Sequence, residues 1–482
     1  MWKIRKNHQK IIQNETLLFD RFIDYSNNYG LVYPNNYKIG MSNLGLHFIY
    51  KLINSRGDAN CERFFYEDSS TEVLSLESNR YLNEFEVILF SLTYELDYLN
   101  VIKLLKNANI EIFGNKRTQL FPILIGGGAA LTINPSPLLK LFDFIFLGNA
   151  DKKLNKIIDI INKKDYETKI ELWNNLKGIP GLIPGEFISK TNYYKICNEK
   201  PEDPIYNSIL TPNTELKNMF LIEIGRSCPH NCKFCSVSNI YGKYKIFDSE
   251  KIIAILNQYK NKIKKVGLLS SAVLEHKNIK DVLEFCIENN LTVNTSSLRL
   301  DLLNSEILNL LKEAGNKTLT IALESGDEKL RLKCGKSFSN DEIINKIQLA
   351  VNSGFHIFKF YIIIGLPGEG EEEIFNSIKF FKRLRSELGR VSLKLKLSIN
   401  PFIPKPHTKW ENKMFSDRKI IKKRFRMLYK ELKKVGYSLK LGKLEESELQ
   451  YLIANGNSEI IYPIINSINK PYSDIIQEVK SI

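Results

Sequence analysis

The chain has 482 residues, enough for about two to four domains with sizeable cores, and its 43% hydrophobic and 11% aromatic content is that of an ordinary globular protein. No run of ~18 apolar residues is present, which argues against a membrane-spanning helix, and the polar, basic start lacks the apolar segment of an export signal. Lys and Arg number 69 against 54 acidic residues, a formal charge of +15, which admits nucleic acid as a partner; the chain is rich in Lys, Asn and Ile throughout, so general compositional bias is the favoured reading.

Residues 1–36 read as a polar helical lead-in that ends in the turn signal Tyr33-Pro34-Asn35-Asn36. Residues 37–162 then alternate, with strands at 37–41, 63–66, 87–92, 122–125 and 144–147 and helices at 44–53, 96–105, 137–141 and 151–161. That spacing predicts a parallel, doubly wound, Rossmann-like sheet with its site at the carboxyl ends of the strands. The groups expected there are Met41, Ser42 and Asn43, then Ser91, Tyr94 and Glu95, then Gly126, Gly127 and Gly128. Glycines at a strand end let a bulky ligand approach the backbone, although a triple glycine also serves as a turn. Residues 163–218 form a connector, broken by Gly178-Ile179-Pro180-Gly181 and Pro201-Glu202-Asp203-Pro204.

The apolar stretch 219–224 reads as a buried strand and leads directly into Arg226-Ser227-Cys228-Pro229-His230-Asn231-Cys232-Lys233-Phe234-Cys235. Three thiolates at spacing C-x3-C-x2-C suit one iron–sulfur centre and leave one iron of a 4Fe-4S cube without a cysteine. Competing readings are half of a zinc site with His230 as a ligand, a disulfide, and plain buried thiols. His230 lies awkwardly between two of the cysteines for a tetrahedral site, and an odd trio in a chain without an export signal argues against disulfides. Cys61, Cys197, Cys286 and Cys334 stand singly and read as packing, so the seven cysteines point to a reducing, cytoplasmic setting.

The core, residues 219–400, continues with strands at 266–270, 291–296, 318–323, 357–364 and 392–398, separated by helices at 249–259, 280–289, 306–313, 341–353 and 371–385. Six such units make a partial (β/α)6 TIM-like barrel with its chemistry at the strand carboxyl ends. Polar residues gather at those ends, namely Ser270, Ser271, Glu275 and His276, then Ser296 and Arg299, then Glu324, then Gly365-Leu366-Pro367-Gly368-Glu369. Each could equally cap a loop. Residues 401–482 read as a small α-rich cap, with a proline-extended stretch carrying His407 and a basic helix from 418 to 434 capped by Ser416. That helix has an apolar stripe of Ile421, Phe425, Leu428, Leu432 and Val435, and its Lys and Arg read as a solvated outer face.

The three cysteines, with Phe234 just before the last, resemble the signature of the radical S-adenosylmethionine (SAM) enzymes. The resemblance implies a 4Fe-4S cluster on Cys228, Cys232 and Cys235, with SAM chelating the open iron. It further implies Phe234 offering backbone to the adenine, Ser296, Arg299 and Glu324 holding ribose and methionine groups, and Gly365 and Pro367 packing against the adenine. Arg331 and Lys336 match the same branch without an assigned role. The segments 122–135, 39–45 and 75–78 resemble the cobalamin-binding domain that precedes the core in one large class, and an uncharacterised branch of it. Cobalamin would then lie against Met41, Ser42, Asn43, Ser91, Tyr94, Glu95 and Gly126 to Gly128. The chain departs from that class in lacking D-x-H-x-x-G, and His47 sits in an apolar helix, so cobalt would have no lower-axial protein imidazole.

What the resemblance implies chemically is electron transfer from the reduced cluster to the sulfonium, cleavage of a C–S bond and formation of a 5′-deoxyadenosyl radical that takes hydrogen from carbon. A low-potential donor of the flavodoxin or ferredoxin type is the expected partner, and methyl transfer to an unknown substrate is the leading outcome. Two alternatives are a cobalamin-free enzyme modifying tRNA and a non-catalytic iron–sulfur or cobalamin carrier.

Overall fold

The computed structural model describes residues 2–22, 26–68, 71–189, 195–389 and 392–481. It divides into two units, Met1–Phe220 with Leu452–Ile482, and Leu221–Tyr451.

The first unit is built on a six-stranded sheet of β1 (Asn28–Tyr33), β2 (Asn60–Phe65), β3 (Val87–Ser91), β4 (Ile123–Gly127), β5 (Phe144–Phe146) and β6 (Leu182–Pro184), in the order β2-β1-β3-β4-β5-β6. The first five strands run parallel and β6 closes the edge antiparallel. The strands are buried nearly end to end, as their unbroken apolar runs require when both faces of a sheet are covered. The order 2-1-3-4-5 reverses direction between β1 and β3, and in doubly wound sheets such a reversal opens a crevice at the strand carboxyl ends.

The first strand differs from expectation. Residues 37–41 are not a strand but the short helix α1 (Tyr37–Gly40), capped by Asn36, and the strand of that position is Asn28–Tyr33, inside the stretch read as a helical lead-in. The run Tyr-Gly-Leu-Val-Tyr is apolar and ends at Pro34, whereas Asn35-Asn36 is a capping signal rather than the middle of an extended segment. The helix expected at 137–141 is a single turn, Ser136–Leu138, and the helical segment after β4 is Ala129–Ile133.

The second unit carries β7 (Met219–Glu223), β8 (Lys265–Leu269) and β9 (Thr292–Thr295) in one sheet, ordered β9-β8-β7. A second sheet holds β10 (Thr318–Glu324), β11 (Ile357–Ile364), β12 (Lys394–Pro401) and β13 (Tyr437–Leu441), all parallel. A parallel bridge between Leu298 and Ile321 joins the two, and no hydrogen-bonded ring closes among the described residues, so the barrel is partial. The helices α2 (Ser249–Tyr259), α3 (Ile279–Glu288), α4 (Ser305–Glu313), α5 (Glu328–Cys334), α6 (Asn340–Asn352) and α7 (Glu371–Glu387) alternate with the strands.

The basic helix α8 (Arg418–Lys433) continues this alternation, packing on α7 and on β13, a strand absent from the sequence reading. Its cap is Asp417, whose carboxylate accepts from the amides of Lys419 and Ile420, in place of the expected Ser416. Ile421, Leu428 and Leu432 are buried as the spacing predicted.

Candidate functional site

The cysteine loop is closed at its base. Gly225 and Arg226 pair antiparallel with Ile246 and Lys245, and Ser227 adopts a positive φ of 71° while its hydroxyl donates to the Gly242 carbonyl at 2.5 Å. Gly225 has little room for a Cβ, which would meet the Ser270 hydroxyl at 3.0 Å. Within the loop, the Cys235 amide donates to the Cys232 carbonyl, 3.1 Å. From outside, the Lys233 amide donates to the Cys334 carbonyl at 3.0 Å, and the Trp410 amide donates to the Lys233 carbonyl at 3.1 Å. Gly335, at φ 94°, lies so close that a Cβ there would sit 3.3 Å from the Cys232 Cα.

Cys228, Cys232 and Cys235 are all half-buried and lie within electrostatic reach of one another. Burial pushes the thiols of Cys232 and Cys235 up, and the Lys336 ammonium opposes it. Among the described residues no three His, Cys, Asp or Glu groups converge to hold a metal ion. The loop brings the three sulfurs near one another rather than into coordinating geometry. Their chemistry, three soft donors in one partly enclosed loop, fits an iron–sulfur cluster. His230 does not join them, because its Nε2 is 2.5 Å from Glu275 Oε1.

The ends of the neighbouring strands supply the rest. Phe234 packs against an apolar cluster of Leu330, Cys334, Leu366, Phe402 and Trp410, which brings it together with the turn Gly365–Pro367. Gly365 has φ 84°, and Pro367 is half-buried beside it. Ser296 donates its hydroxyl to the Ser270 carbonyl at 2.8 Å, and Arg299 forms a two-pronged pair with Asp301 at 3.1 and 2.8 Å. Glu324 is buried at a bulge in β10 with φ 66°, a left-handed conformation that a non-glycine residue holds only at a cost in strain. Burial raises its carboxyl, and Lys336, with Nζ 3.4 Å away, counters that.

Lys336 is therefore a site group that sequence reasoning left without a role; the signal was a lysine directly after a Cys-Gly pair that must approach the cluster loop. Arg331 is fully buried and donates to the carbonyls of Ser325 and Phe338, both at 3.0 Å, and to Asn340 Oδ1 at 2.7 Å, so it braces the segment that carries Lys336. Glu369 and Arg424 complete the turn at Gly365. His407 lies in the loop that straps the cysteines, its carbonyl accepting from the Asn239 side chain.

In the first unit, the residues expected at the strand ends divide by role. Gly128 has φ 114° and lies against the Leu92 carbonyl, so a side chain is excluded there; a Cβ on Gly126 would meet Leu131 at 2.8 Å. Only Gly127 of the three has open space, its nearest neighbour 3.7 Å from a Cβ. Tyr94 is exposed, Ser42 and Asn43 are half-buried, and Asn43 caps the following helix by accepting from the Leu46 amide. Ser91 and Glu95 are buried. Met41 is buried, with its sulfur 3.3 Å from Arg63 Nη1 and its carbonyl 3.0 Å from His47 Nε2. His47 is occupied on both ring nitrogens, the other facing Ser208 at 3.3 Å, and burial pulls it down to about 4.

Beside the β1–β3 crevice, Asp97 is 2% exposed, accepts from the Asn35 amide at 2.8 Å on Oδ1, and has no partner on Oδ2. Burial, with a smaller contribution from Glu95, raises its carboxyl to about 7. A carboxyl raised in the folded state favours folding below its unfolded pKa, near 4, and that contribution is lost as pH rises to about 7. Asp97→Asn is therefore expected to gain about 1–2 kcal/mol at pH 8 and nothing at about pH 4, read by urea melts at the two pH values. Equal effects at both would show that Asp97 is not buried as a neutral acid.

Two family models match the chain: the radical SAM N-terminal model over residues 45–184 and the radical SAM superfamily model over residues 222–381. The uncharacterized protein MJ0966 of Methanocaldococcus jannaschii is 29% identical over 439 residues, 90% of this chain and 89% of its own length. The uncharacterized methyltransferase PH0819 of Pyrococcus horikoshii is 25% identical over 370 residues, 73% of this chain and 75% of its own. Among solved structures, the cobalamin-dependent SAM radical enzyme OxsB has the same fold, with a TM-score of 0.53 and 14% identity over 92% of this chain and 61% of OxsB. With the cysteine loop and the partial parallel barrel around it, these matches place the chain in the radical SAM superfamily of enzymes, whose members use a 4Fe-4S cluster and SAM and need a reductant.

Proposed function

We propose that this chain is a cobalamin-dependent radical SAM methyltransferase. The observation that carries the reading is the parallel 2-1-3-4-5 sheet ahead of the cysteine-loop unit, with an open strand-end position at Gly127, at the end of β4 and next to the end of β3. The same two-part fold in OxsB and the sequence similarity to a protein described as a methyltransferase support it.

Cys228, Cys232 and Cys235 would hold the cluster. Phe234, Gly365 and Pro367 would wall the adenine, and Ser296, Arg299 and Glu324 would take the ribose and methionine groups. When bound, the cluster and SAM supply a 5′-deoxyadenosyl radical for hydrogen abstraction. The chain's own part is to orient the cofactor, exclude water through the apolar cluster beneath Phe234, and keep the Glu324–Lys336 pair beside the sulfurs. A corrin would rest on Tyr94, Ser42, Asn43 and Gly127, with Gly126, Gly128, Ser91, Glu95 and Met41 shaping the floor. The histidines of this unit are His8 and His47; His8 faces Asn79 at 2.9 Å and His47 is buried and bonded, so the fit is to a corrin without protein imidazole.

The test is anaerobic purification with cobalamin supplied, followed by metal analysis, the visible spectrum, and incubation with SAM and dithionite. Stoichiometric cobalt, corrin bands and release of 5′-deoxyadenosine are expected. An iron-loaded chain that cleaves SAM but carries no cobalt would remove the corrinoid part, and iron without SAM cleavage would indicate a carrier.

A further inference from the structure

Arg424 stands apart from the rest of the basic helix. Position 424 lies three beyond buried Ile421 and four before buried Leu428, so it falls on the inward stripe while Lys419, Lys422, Arg426 and Lys430 are exposed. A cation on that stripe needs a partner, and Arg424 has one: Nη1 is 3.0 Å from Glu369 Oε1, with side chains 15% and 3% exposed. The same Glu369 oxygen accepts the Gly365 amide at 2.8 Å. Ser416, just ahead of α8, donates its hydroxyl to the Gly365 carbonyl at 3.1 Å. Both polar groups of one glycine, held at φ 84°, are therefore tied to α8 or its approach. The residue after that glycine, Leu366, packs in the cluster that includes Phe234.

We propose that Arg424 is a positioning residue for the cofactor turn: by pairing with Glu369 it fixes the Gly365 amide and thereby sets the wall on which the adenine of SAM rests. This depends on reading Gly365 and Pro367 as SAM contacts. The physical reason is the burial of Glu369. Burial raises its carboxyl, the Gly365 amide and then Arg424 work against that, and the balance stands at about 7. The groups facing it are the Gly365 and Leu366 amides, Arg424, and Cys334 from α5. Without the guanidinium the titration moves higher still, so at neutral pH the carboxyl is held protonated and is a weaker acceptor for Gly365.

The experiment compares wild type, Arg424→Met and Arg424→Lys as full-length chains. Deuterium uptake of the peptide containing Gly365 is measured before reconstitution, and SAM affinity by equilibrium dialysis after it, across neutral pH. Arg424→Met is expected to speed uptake at Gly365, weaken SAM by about tenfold and move the pH midpoint of SAM affinity upward. Arg424→Lys, which keeps the charge and the stem, is expected to remain near wild type and guards against a folding artefact. Unchanged uptake at Gly365 in Arg424→Met overturns the linkage by itself. Wild type that binds no SAM overturns the SAM reading instead, whatever the uptake shows.

Discussion

A chain carrying Cys232→Ala is expected to fold as wild type does yet to take up no stable 4Fe-4S cluster, and to release no detectable 5′-deoxyadenosine from SAM. Cys232 is the central cysteine of the loop, and three separate contacts fix the backbone around it: the Cys235 amide on its carbonyl, the Cys334 carbonyl on the next amide, and the close approach of Gly335. Those contacts are made by backbone, so removing a sulfur leaves them in place. The half-buried thiol contributes on the order of 1 kcal/mol of packing, which a melting curve would register only slightly. The cluster, by contrast, loses one of three protein ligands, and two thiolates do not retain a cube. His230→Ala is the matched control. Its Nε2 faces Glu275, so iron content should be unchanged, whereas a zinc site using His230 would lose its metal. Iron and sulfide analysis of the reconstituted variants decides between these outcomes. Wild-type iron content in Cys232→Ala would end the assignment.

The parts of the fold legible in the sequence were those where period and punctuation agree. Helix α2 runs over the expected residues 249–259, with Asp248 found as its cap, and β11 runs over the expected residues 357–364. The strand at Asn28–Tyr33 was missed because its neighbour, residues 37–41, has similar apolar content, and only the Asn35-Asn36 capping signal separates strand from helix. β13 was missed although Tyr437–Leu441 alternates apolar and polar residues as a half-buried strand does, because the run is only five residues long. At the site, the cysteine spacing is local and so was visible. The partners of Glu324 and Gly365 were not. Lys336 is twelve residues from Glu324, and Arg424 is 55 residues from Glu369, and nothing in a linear pattern pairs them. The three glycines of the triple glycine answer to different constraints, Gly128 to backbone geometry and Gly126 to packing, leaving Gly127 as the open position.

Arg63→Met is expected to lower the stability of the first unit by about 3–5 kcal/mol, the largest effect of any single substitution considered. Arg63 is fully buried in β2, and its guanidinium meets Glu77 Oε1 at 2.6 Å and both oxygens of Glu15 at 2.8 and 2.6 Å. Its backbone amide adds a bond to Glu77 Oε2 at 2.7 Å, and the guanidinium lies 4.7 Å from the centre of the Tyr50 ring. Tyr37 closes the group by donating to Glu15 at 2.5 Å. Methionine fills a similar volume but leaves two buried carboxylates without their cation, and that unpaired charge, more than lost packing, sets the cost. The combined change Glu15→Gln, Arg63→Met, Glu77→Gln is therefore expected to recover most of the loss, because it removes the charges together. The comparison also bears on function. Met41 and Glu77 lie in the two short segments, 39–45 and 75–78, that first pointed to a corrinoid domain, and both touch Arg63. If those segments serve the buried ion cluster, urea unfolding registers Arg63→Met strongly while the folded fraction takes up cobalamin as wild type does. A variant that unfolds within about 1 kcal/mol of wild type but no longer binds the corrin would place the cluster in the binding site instead.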